Sequence, residues 1–392
     1  MRGIVIGSTW RRCGASRAVA ESSLAVADYL LGQYGNFLQF AGQKDGATRC
    51  AQIVQLSLAN HADHDVSDPL VAVQLNASNA FCSVARQPQF DVLSGKASRT
   101  YDDGRVQVGD ELPRPRTLDK YWGYFLSMQG NASTMRFSDN HGVTHHLPCS
   151  KGRQQGDGLE TIRFAVTVHP SIGRVCERHL GCKVVGICDD VFILARLSKA
   201  LSCAAEMKKT LKTDLDMDLN VPKFNVFFPD PSFSLETARS ALDLAVRADP
   251  SLADLAAIGA GVSTDGMRVA GVPVGIDAWV KNFVAKKARL VITDVAKLDV
   301  VSDGLIHIQL LNFCQNARMA FLGRNTPTPL LSEFMAQVDN TIVEAVCRHG
   351  TGGGHVDWTP PLRKFANMKI QVPHFRGGFG ITPNEGSAIP AF

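Results

Sequence analysis

At 392 residues with 45% apolar and 20% charged content, the chain can bury a large core and is expected to divide into two or three structural units. A formal net charge of +4 is small for this length and excludes a global basic field, so any nucleic-acid surface must be a local patch. The ten cysteines form no Cys-x-x-Cys pair, the amino terminus has no signal pattern, and no stretch reaches the roughly 18 apolar residues of a membrane span. The expectation is therefore an intracellular protein, cytoplasmic or nuclear and not secreted, with reduced thiols and no membrane partner.

The run Gly3 to Gly7 reads as a short buried strand, and the apolar spacing from Ala18 to Leu31 predicts a helix ending near Gly32. Pro69 to Leu75 is a β-like run that stops at Asn76-Ala77-Ser78-Asn79, with a helix following from Ala80. Residues 91–116 are rich in Gly, Asp, Arg and Pro and read as a surface loop excursion that carries no core. His145, His146 and Cys149 form a small ligand cluster, but no second ligand pair lies near them in sequence and no zinc site is expected there.

Cys182 to Cys188 and Val191 to Ala195 flank Asp189-Asp190 as the strands of a hairpin whose turn presents both carboxylates at one end. Leu201, Ala204, Ala205, Leu211 and Leu215 then recur at helical spacing, and Leu219 to Phe228 returns to strand-like composition. Residues 233–257 read as helical. Between Lys281 and Arg324, seven Lys or Arg face three Asp, so this segment is the strongest local basic patch. From Pro329, the positions Leu331, Phe334, Met335, Val338, Ile342 and Ala345 mark one face of a long amphipathic helix.

Adjacent carboxylates at a hairpin tip have a chemical use where two divalent ions must be held about 4 Å apart to activate a hydroxyl and steady a leaving pyrophosphate. The strings around Asp189-Asp190 give that use a context. Arg2-Gly3-Ile4, Gln39-Phe40-Ala41-Gly42, Leu75-Asn76-Ala77-Ser78-Asn79-Ala80-Phe81, Lys151-Gly152-Arg153-Gln154-Gln155-Gly156-Asp157, Ile187-Cys188-Asp189-Asp190, Leu219-Asn220-Val221-Pro222-Lys223 and Gly271-Val272-Pro273-Val274-Gly275 follow in that order. Together they resemble the successive motifs of reverse transcriptases of the non-LTR, LINE-type retrotransposon family.

The resemblance implies an α+β right-hand polymerase fold, a mostly antiparallel palm sheet with helices on one face, partial fingers and a helical thumb. In those terms residues 1–50 are partial fingers and residues 51–279 are palm, with the 91–116 loop insertion and a primer-grip region at 271–275. Residues 280–348 are thumb, and residues 349–392 a post-thumb tail. It implies catalytic roles for Asp189, Asp190 and Lys223, the lysine as proton donor to pyrophosphate. It implies nucleotide contacts from Arg2, Phe81, Gly152, Gln155 and Gly156, with Phe81 as a steric gate against ribose or as ordinary core. A nucleic-acid grip would use Gly271, Gly275, Lys281, Lys286, Lys287 and Arg289. The implied cofactor is Mg²⁺ or Mn²⁺ on Asp189 and Asp190, and the implied partners are an RNA template, a DNA primer and dNTPs, with no obligate protein partner.

One position departs from the pattern in a way that bears on activity. Asn76 stands where the family carries the motif A aspartate, and a neutral amide takes away charge on which Mg²⁺ binding depends, worth roughly several kcal/mol at the metal centre. Gly3 and Gly158 stand where proline is usual, Ile187 replaces an aromatic, and Glu160 replaces a small residue. The first residues also fall almost on the fingers arginine. These departures fit a truncated, degenerate copy with impaired catalysis and weakly held metal. Three readings remain: an impaired RNA-directed DNA polymerase, a non-catalytic RNA or RNA–DNA duplex-binding protein, and a non-functional retroelement remnant.

Overall fold

The computed structural model describes residues 9–59, 66–94, 98–100, 106–108, 116–121, 133–138, 141–149, 151–152, 158–249, 252, 261–350, 359–373, 376 and 378–384. The expected strand at Gly3 to Gly7, together with Arg2, Gln155 and Gly156, lies outside the described residues. The chain forms two compact units, Met1–Thr264 and Asp265–Phe392.

The first unit contains strands β1 (Phe37–Gln39), β2 (Leu70–Asn76), β3 (Ser98–Thr100), β4 (Val106–Val108), β5 (Ser133–Ser138), β6 (Thr144–Cys149), β7 (Lys183–Ile187), β8 (Asp190–Arg196), β9 (Asn225–Phe227) and β10 (Gly261–Ser263). Six of them build one sheet in the order β1-β7-β8-β2-β9-β10. Its centre is antiparallel, and only the outer pairs β1–β7 and β9–β10 run parallel. The fold is α+β, as expected.

Alternation along the strands sends Val71, Val73, Leu75, Val191, Ile193 and Ala195 to one face. There they join Phe164, Val168 and Ile172 of the Gly158–Arg178 helix and Leu201, Ala204 and Met207 of the Leu197–Leu215 helix in one core. Each Val, Leu, Ile, Phe or Met among them contributes about 1.5–3 kcal/mol on full burial. Ala72, Val185 and Phe192, on the other face, are buried as well. The Gly46–Ala59 helix, which buries Cys50, Ala51 and Val54, packs on β7, β8 and β2. Helices therefore cover both faces, which corrects the expectation of a one-sided layer: a strand buried on both sides needs apolar cover on both.

The segments differ from the expected boundaries where the chain reuses short apolar runs. The predicted 18–31 helix extends back to Thr9. β1, from the expected fingers, pairs with β7 and so belongs to the same sheet as the expected palm. The 91–116 excursion is not free of core. The Arg86–Ser94 helix runs into it and buries Val92 and Leu93 beside Leu30, Leu159 and Ile162. Within Leu219–Phe228, Pro222 lies in a 3₁₀ turn, Val221–Lys223, and only Asn225–Phe227 is strand, because proline lacks the N–H that a central ladder requires.

The second unit opens with a hairpin, β11 (Gly266–Val269) and β12 (Val272–Gly275), closed by Ala270 and Gly271 at φ 50° and 93°. Positive φ at both positions is the two-residue turn that suits strand twist. The hairpin, including the expected primer-grip residues Gly271 and Gly275, belongs to this helical unit and not to the unit that holds the sheet. The Asp277–Lys297 and Ser332–Gly350 helices bury Val284, Ala288, Val291 and Val295 against Met335, Val338 and Ile342. The 349–392 segment is more than a tail: Ile370, on the Pro360–Gln371 helix, and Ile381 enter this core, and Asn384 Nδ2 donates to Asp339 and Asn316.

Glu160, an unexpected residue at its position, is explained by burial. Its carboxylate pairs with Arg163 at 2.5 Å on the same helix face, with side-chain exposures of 2% and 1%. Removing one member of such a pair strands the other charge, at a cost of about 3–5 kcal/mol. Glu160→Leu is expected to lower the urea midpoint of the first unit accordingly, whereas Glu160→Leu/Arg163→Leu recovers most of the loss. Equal stability of the single variant and the wild type would contradict this account.

Candidate active site

The site is built by strand register. β2 pairs with β8 so that Asn76 lies opposite Asp190, while the β7–β8 hairpin pairs Ile187 with Asp190. This leaves Cys188 and Asp189 as the two-residue tip. Cys188 takes φ 55°, a left-handed conformation that costs a side-chain-bearing residue about 1–2 kcal/mol.

That cost is offset by Gln39, which is fully buried at the end of β1. Its side-chain oxygen accepts from the Cys188 and Ala41 amides at 3.0 and 3.1 Å, and its nitrogen donates to the Cys188 carbonyl at 3.2 Å. Gln39 thus satisfies both backbone groups of the turn that carries the carboxylates. The sequence placed Gln39 in a family-like string without assigning it a role. The signal was a polar residue between Leu38 and Phe40 in an apolar run.

At the end of β2 the chain is gripped from the other side. The Asn220 amide donates to the Asn76 carbonyl at 2.7 Å, and Ser78 donates to Asp218 at 2.7 Å. The turn at Val221–Lys223 then carries Lys223 back over the strand end.

These elements bring together Asn76, Asp189, Asp190 and Lys223. Asn76 is buried, and its Nδ2 donates to Asp189 Oδ2 at 3.3 Å and, in a short contact, to Asp190 Oδ1. Lys223 Nζ donates to Asn76 Oδ1 at 3.0 Å. The ammonium fixes the amide's oxygen toward itself, so the nitrogen must face the carboxylates. Polarisation by the cation strengthens those N–H donors. Beside them, the Cys188 thiol is pushed up to about 12 by burial and by the charges of Asp189 and Asp190. It stays protonated at neutral pH.

The donor set does not fit the expected pair of divalent ions. Two half-buried carboxylates are present, but the third oxygen belongs to a neutral amide and is turned to Lys223. The amide's N–H groups point where a cation would need oxygen. As arranged, the carboxylates are served by the Asn76 amide, whose oxygen is held by the Lys223 ammonium.

The remaining expected residues divide into two groups. Phe81 is partly buried and stacks on Phe164, with ring centroids 4.5 Å apart and planes at 16°. Gly152 docks on the same turn: its amide donates to the Val84 carbonyl at 2.9 Å, and at φ +72° a Cβ would meet the Cys82 carbonyl oxygen at 2.2 Å. Only glycine fits that approach. Lys151 pairs with Asp216 beside it. Gly271, Gly275, Lys281, Lys286, Lys287 and Arg289 lie in the second unit, where the four basic residues are exposed on the Asp277–Lys297 helix. The Lys287 ammonium lies 5.8 Å from the Phe283 ring centroid. His145 and His146 are successive residues of β6 and point to opposite faces of it.

Gln39→Leu keeps the volume and removes the clamp, leaving the Cys188 amide and carbonyl without partners. A loss of about 1–3 kcal/mol is expected in urea denaturation, together with faster amide exchange at Cys188. An unchanged exchange rate at Cys188 would rule out the clamp.

No family model and no curated protein matches the chain. Among solved structures, it is similar to telomerase from Candida albicans in complex with a TWJ fragment of telomeric RNA. The TM-score is 0.40 and the identity 11%, over 91% of this chain and 56% of that one. Apo telomerase from Candida tropicalis gives a TM-score of 0.43 at 8% identity over 86% and 55% of the two chains. The same telomerase in complex with a TWJ fragment gives 0.42 at 10% identity over 95% and 52%. The chain thus spans just over half the length of each.

Proposed function

We propose that this chain is a reverse-transcriptase-like protein of non-LTR retroelement type whose polymerase centre is closed by the Asn76–Lys223 network and has little or no catalytic activity. The observation that carries this reading is the amide of Asn76 donating to both Asp189 and Asp190 while its oxygen holds Lys223. The register supports it: the strand end and the hairpin tip meet as a polymerase palm requires, with the strings 75–81, 151–157 and 219–223 supplying the family type. In this reading the first unit is palm with residual fingers and the second is thumb.

Mg²⁺ or Mn²⁺ would have to displace the Asn76 amide from both carboxylates and would find no third anionic oxygen, so it is held weakly at best. Lys223, committed to Asn76, is not poised to give a proton to pyrophosphate. Primer extension on an RNA template with a DNA primer, dNTPs and either ion tests the proposal. The wild type should not exceed Asp189→Ala, and Asn76→Asp should gain at least about tenfold, equivalent to roughly 1.4 kcal/mol of barrier. Extension by the wild type that disappears in Asp189→Ala would overturn the closed-centre reading.

A second reading, retention of RNA or RNA–DNA duplex binding without catalysis, is favoured by the exposed basic residues of the Asp277–Lys297 helix. Lys281, Lys286, Lys287 and Arg289 are exposed there, whereas Lys297 and Arg318 are tied to Asp294. Duplex affinity should fall steeply with salt, and replacing Lys286 and Arg289 by Ala should flatten that slope by about two phosphate contacts. A slope unchanged by the double substitution would remove this helix from the interface.

A further inference from the structure

The far end of the carboxylate hairpin carries a second cluster of chemically capable side chains. His179, Cys182 and Cys203 each place one ligand atom within 4.8 Å of the other two, and among the described residues no other His, Cys, Asp or Glu group of three does so. The cluster is assembled by three elements. His179 follows the Gly158–Arg178 helix, and the Cys182 amide donates to the His179 carbonyl at 2.9 Å, a turn that brings residues three apart side by side. Cys182 immediately precedes β7. Cys203 lies on the Leu197–Leu215 helix that leaves β8.

We infer that His179, Cys182 and Cys203 form a binding site for a zinc ion, which pins the base of the β7–β8 hairpin to the helices on either side. Three features support it. Both thiols are buried and lie with the His179 ring nitrogen within 4.8 Å of one another, so they already share a pocket. His179 Nε2 lies 2.7 Å from Glu206 Oε2, and Glu206 is itself paired with Arg178. A carboxylate that takes one ring N–H orients the imidazole and leaves Nδ1 for the ion, the usual outer support of a zinc-bound histidine.

Finally, Cys176, also buried, lies three residues before His179 on the helix that ends at Arg178. It offers a fourth thiol in a Cys176-x-x-His179-x-x-Cys182 run. Thiolate and imidazole together select a borderline-soft ion that prefers tetrahedral geometry. With bond lengths of about 2.3 Å to sulfur and 2.0–2.1 Å to nitrogen, ligand atoms sit roughly 3.5–3.8 Å apart. Side-chain adjustments of about 1 Å therefore close the set. Binding deprotonates each ligating thiol and releases its proton to solvent.

The test is cobalt(II) titration of the reduced, folded full chain, followed by zinc competition. Expected are thiolate-to-cobalt charge-transfer bands and tetrahedral d–d bands that saturate at one ion per chain and vanish when zinc is added. Both should be lost in Cys203→Ala and in His179→Ala, and retained in Cys314→Ala, whose thiol is exposed in the second unit. Zinc should also raise the melting temperature of the wild type but not of Cys203→Ala. A reduced wild type without thiolate charge-transfer bands would overturn the inference even if the variants fail to fold. So would a Cys182–Cys203 disulfide that forms in air in the presence of stoichiometric zinc.

Discussion

The pairing of Asn76 with Asp190 across β2 and β8 is the constraint on which the site depends. A sheet has a side-chain period of two, so a one-residue slip of β2 would turn Asn76 away from the hairpin and take Val71, Val73 and Leu75 out of the core they share with the Gly158–Arg178 and Leu197–Leu215 helices. Burial of those residues on the helices locks the register. The same lock holds an amide against two carboxylates.

Given that register, the chemistry follows from what an amide can do. An aspartate at position 76 would place three carboxylates around one point, an arrangement stable only with cations between them. Asparagine offers two N–H donors instead, and Lys223 supplies the positive charge from the far side of the amide. The two carboxylates are met from within the fold by the Asn76 amide, whose oxygen Lys223 holds. Gly152 still fits under the Cys82 carbonyl, and Gln39 still clamps the hairpin tip.

The sequence made much of this legible because the defining features are local. Alternation and helical spacing located β2, the β7–β8 hairpin and the helix after Pro329, but the apolar runs set the hairpin tip at Asp189-Asp190, one residue beyond the observed Cys188-Asp189 tip, which leaves Asp190 as the first residue of β8. What escaped depends on contacts between distant residues. Val92 and Leu93 looked like part of a polar loop until the Thr9–Gly32 and Gly158–Arg178 helices were seen to cover them. Glu160 departs from the local pattern because its partner, Arg163, is buried with it. The ligand-like group at His179, Cys182 and Cys203 was invisible for the same reason, since the third member arrives from a helix twenty-one residues further along the chain. The spacing rules had drawn attention to His145 and His146, which β6 holds on opposite faces.

Mn²⁺ binding measured by electron paramagnetic resonance on the wild type, Asn76→Asp and Asp189→Ala reads whether the Asn76–Lys223 network stands where a metal would. The account predicts that the wild type and Asp189→Ala bind equally weakly, and that Asn76→Asp binds at least about tenfold more tightly because ligand charge sets affinity for hard cations. Tight Mn²⁺ binding by the wild type that is lost in Asp189→Ala would contradict it.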